Sequence, residues 1–204
     1  PAEATVSFPD VPSGHYAAAA VGWGVEHELT RGVGATGLFM PDRDITRAEL
    51  VTLLWRSAGA PVVSGSLPVY VPAGHYAATA VRWALAEGVT TGAVTFAPDR
   101  PITRAEIVTM MWRSEGQPAG TSSLLIDVPP THFAATAVRW ALDRGITSGV
   151  GSTGTFQPDR YLTRAEAITF IWRLRTGTTV APVVPPVGPH SFLVAGTAGP
   201  ARWD

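Results

Sequence analysis

Arginine follows threonine at Arg47, Arg104 and Arg164, each time inside the run Thr-Arg-Ala-Glu. Thr-x-x-Glu ahead of an apolar run is the sequence form of a capping box: the threonine oxygen takes a backbone N–H and the glutamate reaches back to the threonine N–H. The arginine then occupies the first helical position. It stands beside N–H groups with no partner inside the helix and at the positive end of the helix dipole. A guanidinium there can grip a planar carboxylate through two parallel hydrogen bonds, so the chemistry predicted is anion recognition. The competing role is a salt bridge to Asp42, Asp99 or Asp159, a few residues upstream. Glu49, Glu106 and Glu166 read as caps rather than catalytic carboxylates.

Other reactive types are sparse. His15, His75 and His132 recur, and threefold recurrence brings three imidazoles at one ion to mind. A turn-and-cap role just before a helix explains each without metal, and no metal site is expected. The chain has no cysteine, which excludes thiolate zinc sites, disulfides and cysteine nucleophiles. No HExxH, GxSxG or phosphate-loop motif occurs, so no catalytic residue is assigned and no cofactor is expected. Charged residues are 15% of the 204, against roughly 25% in an average globular chain, and the net charge is −1. All 15 basic residues are arginine. This balance argues against nucleic-acid binding through bulk charge. The longest apolar run, Ala17 to Val25, falls well short of the ~20 residues that span a bilayer, so no membrane insertion is expected. No charged-then-apolar leader opens the chain.

The elements that must position the arginines are repeated. His15-Tyr16-Ala17-Ala18, His75-Tyr76-Ala77-Ala78 and His132-Phe133-Ala134-Ala135 mark three copies, spaced by 60 and 57 residues. Trp23, Trp83 and Trp140 follow at one offset. Phe39-Met40-Pro41-Asp42-Arg43, Phe96-Ala97-Pro98-Asp99-Arg100 and Phe156-Gln157-Pro158-Asp159-Arg160 then lead into the box, and each copy closes on Trp-Arg. Trp to Phe measures 16, 13 and 16 residues, so the middle copy is three shorter in a loop, which marks that segment as surface.

Each copy reads as helix, loop, helix. In the second, Ala77, Ala80, Val81, Ala84 and Leu85 form an apolar stripe at helical spacing over Tyr76 to Glu87. Gly88 and Gly145 stand where a helix stop is expected, with Leu29 taken as their counterpart in the first copy. Ile45, Ile102 and Leu162 precede the caps as hydrophobic staples. No segment alternates as a strand, so the predicted class is all-α. One copy has little core of its own. The expected architecture is a pseudo-threefold arrangement of helix-loop-helix repeats around a central three-helix bundle, with an open solenoid as the competitor. The expected boundaries are 1–60, 61–119 and 120–177 for the repeats and 178–204 for a Pro- and Val-rich tail.

The order of elements resembles the S-layer homology repeat. The elements are Phe8-Pro9-Asp10-Val11 with its weaker form Leu125-Ile126-Asp127-Val128, the His-aromatic-Ala opening, the glycine-bearing loop, the Phe-x-Pro turn and the Ile-Thr-Arg-Ala-Glu box. The resemblance covers about residues 6 to 176. It implies a secreted protein held non-covalently at a bacterial cell wall or surface, with a secondary cell-wall polysaccharide, often pyruvylated, as partner. On that reading Arg47, Arg104 and Arg164 meet carboxylates in the grooves between copies. Tyr16, Tyr76 and Phe133 offer faces to sugar rings, and Asp10 and Asp127 accept from hydroxyls. The alternative is a self-assembling surface-layer or filament subunit whose tail docks on a neighbouring chain. The second copy departs from the pattern, with Tyr70 in place of the aspartate and a shortened loop, so a groove that both of these shape is expected to be altered or inactive. The tail's Ser191-Phe192-Leu193-Val194-Ala195-Gly196 is similar to the lead-in of secreted actinobacterial zinc-peptidase domains.

Overall fold

The computed structural model of the chain describes residues 8–91, 96–151 and 153–179. The Pro- and Val-rich tail and its peptidase-like segment lie outside the described residues. Among these residues there are six helices and no strand: α1 (Ala18–Glu26), α2 (Arg47–Ser57), α3 (Ala78–Ala86), α4 (Arg104–Ser114), α5 (Ala135–Asp143) and α6 (Arg164–Thr176). The class is all-α.

The longer helices α2, α4 and α6 start where the boxes predict. The Glu49, Glu106 and Glu166 N–H groups donate to the threonine hydroxyls at 3.2, 3.3 and 3.2 Å. The Thr46, Thr103 and Thr163 N–H groups donate to the glutamate Oε2 atoms at 3.0, 3.0 and 3.1 Å. Each box satisfies two donors that the helix leaves open, and losing one cap costs about 1 kcal/mol.

The shorter helices α1, α3 and α5 open on alanine, and the histidine two residues ahead does the capping. Nδ1 of His15, His75 and His132 accepts from the Ala17, Ala77 and Ala134 N–H at 3.1, 3.2 and 3.1 Å. The turn this makes consumes Tyr76 and Ala77, so α3 starts later than its apolar stripe. At the far end Gly88 and Gly145 have φ of 66° and 65°, as a helix stop requires. Their counterpart in the first copy is Glu28, at φ 58°, and not Leu29. Leu29 is buried, in the position held by Val89 and Ile146 in the other copies. A charged residue in the left-handed region had masked the register.

No repeat packs mainly on itself. α3 packs on α2, α5 on α4, and α1 on α6, with α2 also against α6. The first helix of each copy therefore lies on the second helix of the copy before it, and the cycle closes from last to first. The backbone does the same at the staples. Ile45 N–H donates to the Leu162 carbonyl at 2.9 Å, Leu162 to Ile102 at 3.0 Å, and Ile102 to Ile45 at 3.1 Å. These three side chains are fully buried, as are Phe39, Phe96 and Phe156 close by. Burying each contributes roughly 2 kcal/mol.

The helix pairs differ in size at one matched position. Gly24 of α1 faces Ile168 of α6 so closely that an added Cβ would lie 2.9 Å from Ile168 Cδ1. In the other two pairs the matching residues are Ala84 with Val51 and Ala141 with Val108, all buried. The smallest residue thus meets the largest.

Candidate functional site

The three boxes create three clusters, each made by all three repeats. In the first, Glu49 Oε1 accepts from Arg43 of its own repeat and, at 3.0 Å, from Arg164 Nη1 of the third. In the second, Glu106 Oε1 accepts from Arg100 and, at 3.2 Å, from Arg47 Nη1. In the third, Glu166 Oε1 accepts from Arg160 and, at 3.4 Å, from Arg104 Nη1. The box arginines therefore pair with the box glutamate of the next copy, and not with Asp42, Asp99 or Asp159.

Each box arginine is also anchored to a turn. Nε of Arg47, Arg104 and Arg164 donates to the carbonyls of Phe96, Phe156 and Phe39 at 2.8, 2.7 and 2.9 Å. The guanidinium carbons lie 5.1, 5.0 and 4.9 Å from the same phenyl centroids, within cation–π range. Burial lowers the pKa of all three, and that of Arg104 to about 10, with Glu166 opposing. Arg47, Arg104 and Arg164 are thus buried cations. The solvent-facing cations of the clusters are Arg43, Arg100 and Arg160, whose side chains are 36%, 40% and 30% exposed. Their recurrence six residues before each box glutamate was the available signal. Nε of Arg43 and of Arg160 is buried without a partner among the described residues.

Asp10 and Asp127 brace the clusters. The Asp10 carboxylate accepts from the Phe39 and Met40 N–H at 3.0 and 2.7 Å. That of Asp127 accepts from Phe156 and Gln157 at 2.7 and 2.6 Å. Both hold the Phe-x-Pro turn, whose middle residue lies at φ 58° in Met40 and Gln157. The left-handed turn is costly for residues with a Cβ, and two charge-assisted bonds offset it.

The aromatics roof the same clusters. Burial pushes the Tyr16 hydroxyl up to about 12, with Glu166 adding to it and Thr163 opposing, which places Tyr16 at the start of α6. Burial also raises Tyr76, with Thr46 opposing and Glu49 adding, which places it at the start of α2. Phe133 holds the corresponding sequence position in the third repeat, ahead of α5, which packs on α4. Tyr76 and Phe133 are exposed, and each aromatic stacks on the preceding histidine at 4.6 or 4.7 Å between centroids. Among the described residues no group of three or more His, Asp or Glu is placed to hold a metal ion, and no helix is long and apolar enough to cross a membrane.

Comparisons with known proteins place the chain in a family. The family model described as the S-layer homology domain matches residues 7–51, 71–108 and 127–168. The chain is 32% identical to cell surface glycoprotein 1 of Acetivibrio thermocellus, over 67% of this chain and 7% of that protein. It is 27% identical to the S-layer protein EA1 of Bacillus anthracis, over 83% of this chain and 20% of that one. It is 31% identical to a cellulosome-anchoring protein of A. thermocellus, over 64% of this chain and 31% of that one. The chain therefore spans less than a third of each of these relatives. Three matched segments, each with its capped box and its share of a cluster, show that the chain belongs to the S-layer homology domain family.

Proposed function

We propose that the chain anchors the protein that carries it, non-covalently, to a bacterial cell wall by binding a secondary wall polysaccharide in the grooves between repeats. A location at the cell surface or wall goes with membership of the family. The observation that carries the finer reading is the repeated cluster of two arginines on one glutamate at a helix N-terminus, roofed by an aromatic ring. An acidic substituent such as a pyruvate ketal suits it: the carboxylate meets the cations while the ring lies on Tyr16, Tyr76 or Phe133. Arg43, Arg100 and Arg160 make the outer contact, with Arg47, Arg104 and Arg164 behind them. Asp10 and Asp127 keep lone pairs for sugar hydroxyls while holding the turn. Three such grooves on one unit raise avidity without any new contact.

The reading is of a binder and not an enzyme, and the names of the relatives support it as much as the site does. A second reading, self-assembly as a surface-layer subunit, draws on the S-layer proteins among those relatives. Cosedimentation with wall sacculi separates the two. Binding to intact walls, lost on stripping the secondary polymer and on replacing Arg43, Arg100 and Arg160 together by glutamine, supports anchoring. No binding to intact walls, with assembly growing with protein concentration, supports the second.

A further inference from the structure

The seams between neighbouring repeats are not braced alike. Two of them are crossed by the linker that joins the repeats. After α4 the linker first meets Trp112, whose Nε1 donates to the Pro118 carbonyl at 2.8 Å. It then lies on α5 of the next repeat. Gly120 approaches that helix so closely that an added Cβ would lie 2.3 Å from the Trp140 nitrogen. The Thr121 and Ser122 N–H groups donate to the Asp143 carboxylate at 2.6 and 2.9 Å, and Arg139 Nη1 donates to the Ser122 carbonyl at 2.8 Å. The α2–α3 seam starts the same way, with Trp55 Nε1 donating to the Pro61 carbonyl at 2.9 Å. Val63 and Leu67 of that linker pack on the core.

The third seam, α6 against α1, joins the last repeat to the first, and no linker connects the two. Its matching positions stand open. Trp172 takes the place of Trp55 and Trp112, and among the described residues its Nε1 has no acceptor. The reason lies in the helix ends. α2 and α4 stop two residues past their tryptophans, whereas α6 runs four past Trp172. Thr179 then lies close to Gly145 of its own repeat. On α1, Ala18 and Trp23 are half-buried, where Ala78, Ala135, Trp83 and Trp140 are buried. Glu26 ends α1 as Asp143 ends α5, and it has no side-chain partner among the described residues.

The chain carries a segment that matches the two linkers. Pro61 and Pro118 stand ten residues before Val71 and Val128, and Pro1 stands ten before Val11. Ala4 and Thr5 thereby correspond to Thr121 and Ser122. Seven extended residues reach up to ~24 Å, and packed helices stand only about 8–10 Å apart. We propose that the α1–α6 seam is a docking groove for residues 1–7 of this chain, which cross it as a third strap. The Pro1 carbonyl accepts from Trp172 Nε1, the Ala4 and Thr5 N–H groups donate to Glu26, and the residues between lie over Trp23. The strap gives this seam the brace that the covalent linkers give the other two, and it pairs an indole N–H and a carboxylate that otherwise face water.

The test uses the absence of cysteine from the chain. In a whole-chain variant carrying Thr5→Cys and Glu26→Cys, mild oxidation should form a disulfide within the chain. It should form about tenfold faster than in a control carrying Thr5→Cys and Ala86→Cys, the matching place on α3, because docking holds only the first pair within bonding reach. The indole N–H groups give a second readout, by hydrogen exchange followed with NMR. Trp172 should be protected in the parent chain as Trp55 and Trp112 are. Deleting residues 1–6 should speed its exchange about tenfold and leave those two unchanged, which shows that the fold survives. Equal oxidation rates overturn the proposal, as does an unprotected Trp172 in the parent chain. A disulfide formed between chains overturns it in favour of a second copy. Protection of Trp172 that is lost on deleting residues 180–204, and kept on deleting residues 1–6, overturns it in favour of the tail.

Discussion

Arg164 and Glu49 stand 115 residues apart in the chain and 3.0 Å apart in space. That bond joins the last repeat to the first, and its two counterparts, Arg47 to Glu106 and Arg104 to Glu166, join each repeat to the next. The cations of the candidate sites are therefore also fastenings of the fold, and the two roles are separable by burial.

Replacing Arg104 by alanine should cost about 3 kcal/mol, since it strips the Phe156 carbonyl of its donor and leaves a buried glutamate short of a partner. Replacing the more exposed Arg100 should cost less than about 1 kcal/mol. Urea unfolding of the two variants checks the contrast, and equal costs would remove the distinction between inner and outer arginines.

Acid should weaken the fold through Glu166. Burial pushes its pKa up, but Arg160 and Arg104 outweigh burial and hold it below the ordinary glutamate value of about 4.3. A carboxylate depressed in the folded state adds stability that is present above its unfolded value and is lost as pH falls through the folded one. Glu106 is lowered in the same sense. Urea midpoints measured from about pH 7 to about pH 2 should fall below about pH 4.3, and the Glu166→Gln variant should show a shallower fall.

Glu28→Gly should stabilise the chain by about 1 kcal/mol. Glu28 holds φ 58° at a helix stop where the other copies have glycine, and among the described residues its side chain pairs only with Arg31, in an exposed contact at 3.4 Å. A lowered melting temperature would contradict the assignment of that strain.

Gly24→Ala should destabilise, because the new methyl meets Ile168 in a fully packed contact. Adding Ile168→Val should restore stability, reproducing the Ala–Val pairs of the other copies. A double-mutant cycle by denaturant unfolding should return a coupling of about 1 kcal/mol; additive effects would mean that the two positions do not share the space.

Much of this was legible in the sequence because it is local. The caps at Thr46, Thr103 and Thr163, the staples, the histidine turns and the helical class all follow from residues within four positions of one another. What was not legible is the pairing across repeats. Every box offers Arg47, Arg104 or Arg164 an acid two residues away and another a few residues upstream, yet the partner lies 59, 62 or 115 residues off. Identical repeats hide such an exchange, because a contact within a copy and one to its neighbour involve the same residue types. Leu29 was misplaced by one position for a related reason: with glutamate where the other copies have glycine, the register lost its marker.

The circuit through Ile45, Ile102 and Leu162 has a mechanical meaning. In a linear array of repeats, tension peels one unit at a time, each at a low force. Here α6, the last helix, is gripped by α1 and α2 of the first repeat. A pull on the end of α6 is therefore met at once by the far end of the molecule. The repeats carry tension in parallel and give way together.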